Sequence, residues 1–319
     1  YLPGIALACL CALLIGCDQS ASNTRQNGAG AAATPDSLTF VFQKQKDPAE
    51  IKDDADAVAA FLSEQIGVPV KVEVPLDYGM SVQAMVSGKA DVAYVSSIPF
   101  LLAQRDADAE LLLAEVRTDA QGNERTDYDS IFVVRADSPI QSMQGIVDNA
   151  AGLRMAFTSR TSTSGYVMAY RRLVNEGLLE SGQDPAEVFK SADWAGGYAK
   201  ALQQVADDRA DLCAVSFYTM EGESAKRYLD QETRDKLRIV ARTPNVPTHL
   251  ICVRGGISDE MKQKIKDALL TLSEEKSDLL ADVYGAKRLT EVDPEEHVAA
   301  TVEAFEYLDL PVEGFVYKK

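Results

Sequence analysis

Leu153-Arg154-Met155-Ala156-Phe157 is followed by the hydroxyl-rich turn Ser162-Thr163-Ser164-Gly165 and by a helical run from Tyr166 to about Val174. The fold is decided on this stretch: a short apolar strand, a loop of small hydroxylated residues, then a helix start. The first turn of a helix has N–H groups without intrahelical acceptors and carries the positive end of the helix dipole. Backbone N–H and side-chain O–H donors therefore converge on one point, which suits an oxyanion. One oxygen is enough to cap a helix. Three consecutive hydroxyls exceed that need and make Ser162, Thr163 and Ser164 the leading candidate ligand group. Ordinary capping by one of them, with the others solvated, is the alternative reading.

Outward from this stretch the chain alternates strand and helix. Leu38–Gln43 reads as a first strand. A helix from about 49 to 66 follows, with Ile51, Val58, Phe61, Leu62 and Ile66 as its apolar stripe. Val70–Val74 alternates Val with Lys and Glu, as a half-exposed strand does. Tyr78-Gly79 opens a helix with Val82, Met85 and Val86 on its buried face, and Ala90–Val95 is a third strand. Ser96-Ser97 lie at that strand's end, with Pro99 in the first turn of the next helix. Leu111–Val116, Ser130–Arg135, Asp211–Val215, Leu237–Ala241 and His249–Val253 read as further strands, and Val188–Asp193 as a short one. Helices are expected over 198–207, 219–229, 259–272, 274–280 and 294–308, and Thr243–Pro247 as a stiff connection. Such a βαβα order implies mostly parallel sheets covered by helices on both faces.

Two strand sets imply two α/β lobes: 38–135 together with 245–319, and 136–244. The C-terminal helices are expected to pack back on the first lobe, and the ligand cleft to lie between the lobes at the carboxyl ends of the strands. Residues placed to face that cleft are Tyr78, Ser96 and Ser97 from the first lobe, and Tyr198, Ser216 and Tyr218 from the second. Tyr94 lies inside its strand, where core burial competes with a place on the cleft wall. Gly196-Gly197 before Tyr198 permits close backbone approach and equally suits an ordinary loop end.

Composition narrows the function. The 319 residues carry a formal net charge of −17, which argues against nucleic acid as a partner. The far field also opposes an anion, but salt screens it within about 10 Å, whereas hydrogen-bond donors act at contact. Leu2–Gly16 is apolar yet shorter than the roughly 20 residues of a membrane-spanning helix. The run Leu14-Ile15-Gly16-Cys17 resembles a bacterial lipobox, with Cys17 the lipidated residue; a buried helix and a single-pass anchor are the alternatives. Residues 18–37 have the composition of a flexible tether. Cys213 and Cys252 sit in apolar strand-like runs and read as buried small hydrophobes, with a disulfide or a thiol ligand as alternatives. His249 and His297 belong to no ligand-spaced cluster, so neither metal nor cofactor is expected. No nucleophile elbow, Gly-x-Gly-x-x-Gly or metal triad follows a strand, and no catalytic residue is nominated.

Several pieces, in order and spacing, resemble the phosphonate/phosphite/phosphate-binding proteins of ABC importers, the PhnD-like family. They are Pro75-Leu76-Asp77-Tyr78-Gly79, Gly88-Lys89-Ala90-Asp91-Val92-Ala93, Val134-Arg135-Ala136-Asp137-Ser138-Pro139, Ser162-Thr163-Ser164-Gly165-Tyr166, Ala195-Gly196-Gly197-Tyr198 and Thr243-Pro244-Asn245-Val246-Pro247. The resemblance covers about Leu38 to Leu272. It implies a type II periplasmic-binding-protein fold: two α/β lobes joined by a two-strand hinge, closing on a small oxyanion. It further implies a monomer outside the cytoplasm that delivers its ligand to an ABC permease. Phosphonyl oxygens would be held by Ser162, Thr163, Ser164 and Tyr78, with Tyr94, Ser96 and Ser97 a looser match. Family members commonly have a histidine after the paired glycines, and those that bind aminoalkylphosphonates add a carboxylate; here Tyr198 and Ala199 follow. A buried ammonium without a partner is costly, so the expected ligand is phosphite, phosphate or a simple alkylphosphonate. A receptor feeding a sensor kinase, or a phosphate-ester hydrolase, are the alternatives.

Overall fold

The computed structural model describes residues 35–42, 52–75, 78–119 and 121–308. The expected export segment, Cys17 and most of the tether lie outside them. No helix among the described residues is long and apolar enough to cross a membrane.

The chain begins with β1 (Leu38–Phe42), α1 (Lys52–Ile66), β2 (Val70–Glu73), α2 (Tyr78–Val86), β3 (Val92–Val95), α3 (Ser97–Ala107) and β4 (Glu110–Thr118). Ala55, Val58, Ala59, Leu62 and Ile66 form the buried stripe of α1, at the spacing of a helix packed on a sheet. All four residues of β3 are buried, because Val92 and Tyr94 enter a core on one face of the sheet and Ala93 and Val95 a core on the other. The short β5 (Glu124–Arg125) then leads to β6 (Asp127–Arg135), α4 (Met143–Asn149), β7 (Arg154–Phe157), and a π-helical turn at Thr163–Met168 that runs directly into α5 (Ala169–Asn175). After β8 (Ser191–Trp194), α6 (Tyr198–Ala206), β9 (Leu212–Ser216) and α7 (Gln231–Asp235), the long β10 (Leu237–Pro247) carries the chain back. It closes with β11 (Leu250–Val253), α8 (Asp259–Glu275), α9 (Ser277–Tyr284), β12 (Arg288–Thr290) and α10 (Pro294–Leu308).

Two mixed sheets result. The first runs β12-β4-β11-β3-β1-β2, the second β10-β6-β9-β7-β8. Parallel pairs β1–β2, β1–β3, β7–β8 and β7–β9 come from the βαβ units. The sheets are less parallel than expected because each strand arriving from the other lobe runs in reverse: β11 against β3 and β4, β6 against β9.

Sheet membership corrects the lobe boundary near residue 135. The segment Asp127–Arg135 was expected in the first lobe, but β6 lies between β9 and β10 in the second sheet. Its apolar run Ile131–Val134 is fully buried in the second-lobe core. Thr243–Pro247 is likewise strand, bent by irregular pairing with β6. The expected helix over 219–229 is reduced to short 3-10 turns at Phe217–Thr219 and Glu223–Arg227. The two crossovers are stitched side by side: the Thr248 N–H donates to the Thr126 carbonyl at 3.0 Å, and Thr248 Oγ1 donates to the carbonyls of Thr126 and Glu115.

At the C-terminus α8 and α9 pack on the first sheet through Met261, Ile265, Leu269, Leu272, Leu280 and Tyr284. The last helix does not follow them. Val298 of α10 joins a first-lobe core with Met85 and Phe100, whereas Ala304, Phe305 and Leu308 join the second-lobe core. α10 therefore straps the lobes together, and His297 Nε2 donates to the hinge carbonyl of Thr248 at 3.1 Å.

Candidate functional site

The hydroxyl turn is built as its sequence suggests. Ser162 Oγ accepts the Gly165 N–H at 3.0 Å, capping the helix, while the Val167 N–H reaches the Ser162 carbonyl across a widened turn. That leaves Thr163 and Ser164 for other partners, so one hydroxyl caps and two remain. Gly165 is required here: a Cβ on it would lie 2.1 Å from Thr158 Oγ1, which itself donates to the Ala214 carbonyl of β9. The helix start is thus pressed against the sheet. Widened π turns recur at functional sites for this reason, since they redirect the first side chains and N–H groups.

Opposite stands the start of α3. Ser97 Oγ lies 3.1 Å from Thr163 Oγ1 and 2.8 Å from Thr301 Oγ1 of α10, and the Ile98 N–H donates to Thr163 Oγ1 at 3.4 Å. Two helix N-termini, one from each lobe, therefore meet hydroxyl to hydroxyl. Ser164 Oγ is 2.8 Å from Tyr198 Oη and accepts from Tyr128 Oη at 3.3 Å, while Ser130 Oγ donates to the Ser164 carbonyl. Burial pushes the Tyr128 and Tyr218 phenols well above their ordinary pKa, so both stay protonated donors. The cluster carries no formal charge. It can bind an anion by donated hydrogen bonds, which are stronger to an ionised acceptor than to a neutral one.

Most expected site residues come together. Ser97, Thr163, Ser164 and Tyr198 are linked by hydrogen bonds, and Ser162 caps the turn that carries two of them. Ser96 is the buried residue preceding α3. Ser216 pairs with Ser130 across β9 and β6, on the same sheet face, and its buried hydroxyl has no protein partner; neither has that of Tyr218. Tyr78 begins α2, with its side chain outside those described. On the same helix Ser81 is buried with an unpartnered hydroxyl, one residue before Val82, which packs with the second-lobe core.

Tyr94 is the exception. Its hydroxyl donates to Glu115 Oε2 and lies 3.0 Å from the Tyr284 carbonyl, inside the first-lobe core. A tyrosine on a strand buried on both faces is held by the nearest buried acceptor, and Glu115 provides one. Around Glu115 is a buried ionic group: Arg117 Nε donates to Oε1 at 2.8 Å, and His249 Nδ1 is 3.3 Å from the same oxygen. Burial alone would raise the Glu115 carboxyl, but Arg117 and His249 outweigh it and hold it at about 2. Arg117 Nη1 donates to the Gly285 carbonyl, and the guanidinium lies over the Tyr218 ring of the other lobe, 4.0 Å from its centroid.

Sequence reasoning missed Tyr128, Ser130, Thr301 and Arg117. Tyr128-x-Ser130 and Glu115-x-Arg117 have the two-residue spacing that puts side chains on one face of a strand, the only local signal available. Elsewhere in the second lobe, the Arg160 guanidinium stacks on Trp194 at 3.6 Å, beside the turn at Gly196, whose φ of +82° favours glycine. Cys213 and Cys252 are buried free thiols. Among the described residues no group of His, Cys, Asp and Glu is placed to hold a metal.

A family model described as ABC transporter, phosphonate, periplasmic substrate-binding protein matches residues 40–297. The chain is 26% identical over 263 residues to the phosphate-import protein PhnD of Mycolicibacterium smegmatis, covering 82% of this chain and 79% of that protein. It is 24% identical over 206 residues to the phosphonates-binding periplasmic protein of Escherichia coli, covering 65% and 57%. The crystal structure of a binding protein component of an ABC phosphonate transporter from Pseudomonas aeruginosa aligns with a TM-score of 0.72 at 21% identity, covering 86% of each chain. PhnD1 from Prochlorococcus marinus, solved with methylphosphonate, aligns with a TM-score of 0.72 at 17% identity, covering 86% and 99%. The solved structures carry the type II two-lobed fold. With that fold and a family match spanning both lobes, the chain belongs to the periplasmic substrate-binding proteins of ABC phosphonate transporters: an extracytoplasmic solute-binding protein of an importer for a small phosphorus oxyanion, and a binder rather than an enzyme.

Proposed function

We propose that this protein captures phosphate, phosphite or a simple alkylphosphonate lacking an amine, as a monomer tethered to the membrane by a lipid on Cys17, and passes it to its permease. The oxyanion is held between the first turn of α3 and the turn at Ser162–Ser164, with Tyr128, Tyr198 and the start of α2 at Tyr78 completing the enclosure. One observation carries this reading: the opposed helix starts joined by Ser97 Oγ and Thr163 Oγ1 at 3.1 Å. Two positive helix ends and a ring of neutral hydroxyls favour a compact polyoxyanion, whose several acceptors satisfy donors from both lobes at once. Exclusion of an amine is supported by the uncharged cluster and by Tyr198, whose hydroxyl is committed to Ser164.

Isothermal titration with phosphate, phosphite and methylphosphonate, with sulfate and chloride as controls, tests the reading. Saturable binding of at least one phosphorus oxyanion, and a melting temperature that rises with its concentration by mass action, are expected. Binding of sulfate alone, or of none of the five, would discard it.

A further inference from the structure

Ser97 and Thr163 each have a single hydroxyl proton to give, and each has a donor standing behind it. A hydroxyl donates once and accepts through two lone pairs. Behind Thr163 Oγ1 is the Ile98 N–H at 3.4 Å. Behind Ser97 Oγ is Thr301 Oγ1 of α10 at 2.8 Å. All three hydroxylated residues are buried, Ser97 and Thr301 completely.

Packing alone does not account for Thr301. Val298, Thr301, Phe305 and Leu308 recur along one face of α10, and the other three join the cores of the two lobes. Thr301 is the polar member of an apolar stripe. A helical Ser or Thr commonly returns its proton to the carbonyl four residues earlier, as Ser63 and Thr271 do here at 2.7 and 2.8 Å. Thr301 makes no such bond among the described residues, and its side-chain partner is Ser97 Oγ. The same turn of α10 is held independently by Arg171 of α5, through the Ala300 carbonyl at 3.4 Å and Glu303 Oε2 at 3.1 Å.

Without a ligand, the protons along Thr301, Ser97 and Thr163 can run in either direction. An ionised oxygen only accepts, so an anion at the start of α3 draws the Ser97 proton to itself. The buried Ser97 oxygen then calls for a donor of its own. Thr301 supplies it, and a chain of hydrogen bonds running one way polarises each member and strengthens the last. With an apolar residue in place of Thr301, Ser97 would turn to Thr163 for that bond and occupy the second proton the anion needs.

We propose that Thr301 is a positioning residue of the oxyanion site: its hydroxyl fixes the direction of the Ser97 proton, so that Ser97 and Thr163 both donate to the ligand. The proposal rests on the oxyanion reading above and deepens it by bringing α10 into the site.

The test is calorimetry with whichever of phosphate, phosphite and methylphosphonate the wild-type protein binds most tightly, on variants checked for folding by circular dichroism. Thr301→Val keeps the shape of the side chain but not the hydroxyl, and is expected to weaken binding about three- to tenfold, the worth of one hydrogen bond. Thr301→Ser keeps the hydroxyl and is expected to bind within about twofold of wild type. In a Ser97→Ala background there is no proton to direct, so adding Thr301→Val should change affinity by less than about twofold. A role confined to seating α10 would cost as much there as in the wild-type background. If Thr301→Val does not fold, Thr301→Ala takes its place in the same cycle. Undiminished affinity in the folded variant, an equal loss in Thr301→Ser, or an equal loss in both backgrounds overturns the proposal and leaves the oxyanion reading standing. Unchanged affinity in Ser97→Ala alone overturns the proposal and removes α3 from the site. Failure of wild type to bind any of the three removes the oxyanion reading and the proposal together.

Discussion

The two sides of the cleft solve the problem of holding polar groups away from water in opposite ways. The second-lobe turn is neutral: hydroxyls of Thr163, Ser164 and Tyr198 bond to one another or to first-lobe hydroxyls, over a short stretch of chain and one neighbouring helix. The first-lobe group is ionic: the Glu115–Arg117 pair on β4, joined by Tyr94 on β3 and His249 just before β11, puts full charges in a buried place. A neutral donor cluster can exchange partners with an incoming anion at modest cost, because each hydroxyl loses one hydrogen bond and gains a stronger one. A buried ion pair cannot lose a partner without leaving a charge stranded. Neutral groups thus suit the part that must open and reload, and ionic groups the part that must stay fixed.

The largest expected effect falls on the fixed side. Arg117→Met should destabilise the protein by about 3–5 kcal/mol in chemical denaturation, because it strands Glu115, whereas Glu115→Leu/Arg117→Met should recover most of that loss. If the single variant is as stable as wild type, the ionic group is not the anchor described here. The same carboxyl gives an acid signature. Glu115 is held at about 2 against an ordinary 4.5, so the unfolded chain takes up its proton first and stability falls as pH drops from about 4.5 to about 2. A denaturation series over that range should show a shallower fall in Glu115→Gln.

Next in size is the reloading side. Ser164→Ala removes the hydroxyl between Tyr128 and Tyr198, and should weaken oxyanion affinity by about 1.5–3 kcal/mol in calorimetry, the cost of one donor to a charged group. An unchanged affinity would separate this hydroxyl from the ligand. Gly165→Ala probes the seating of the turn itself. With Thr158 Oγ1 in the path of the new methyl group, a loss of about 1–3 kcal/mol in stability is expected; a neutral result would mean that the helix start has room to retreat.

The smallest effect concerns the strap. Burial lowers the His297 pKa below its ordinary 6.5, against the opposing pull of the Thr248 carbonyl, Glu115 and Asp127. The folded protein therefore resists the proton that the unfolded chain accepts, and the contribution is complete above about 6.5 and declines as pH falls below it. His297→Gln should flatten the melting temperature between pH 7 and 5.5; an unchanged slope would remove the histidine from the hinge account.

What was legible in the sequence follows the same division. The alternation of strands and helices, and the hydroxyl turn before a helix, are local patterns, and both appear where expected. Tyr128 and Arg117 were hidden because their significance arises only when β6 and β4 are laid against other strands and when the lobes meet. Tyr94, inside its strand, was open between core and cleft wall for the complementary reason: the acceptor that holds it in the core, Glu115, comes from β4. The path of α10 was equally unreadable, since its apolar residues fit either lobe and only the assembled cores divide Val298 from Phe305.

The stacked pair Arg160 and Trp194 gives the molecule an internal optical gauge. The chain has a single tryptophan, and it lies under the loop that leads from β7 to the hydroxyl turn and next to the bend that leads to Tyr198. Emission from this one indole therefore originates wholly from the neighbourhood of the proposed binding turn. Any change in that emission on adding an oxyanion, followed by stopped flow, is assigned to one place in the second lobe.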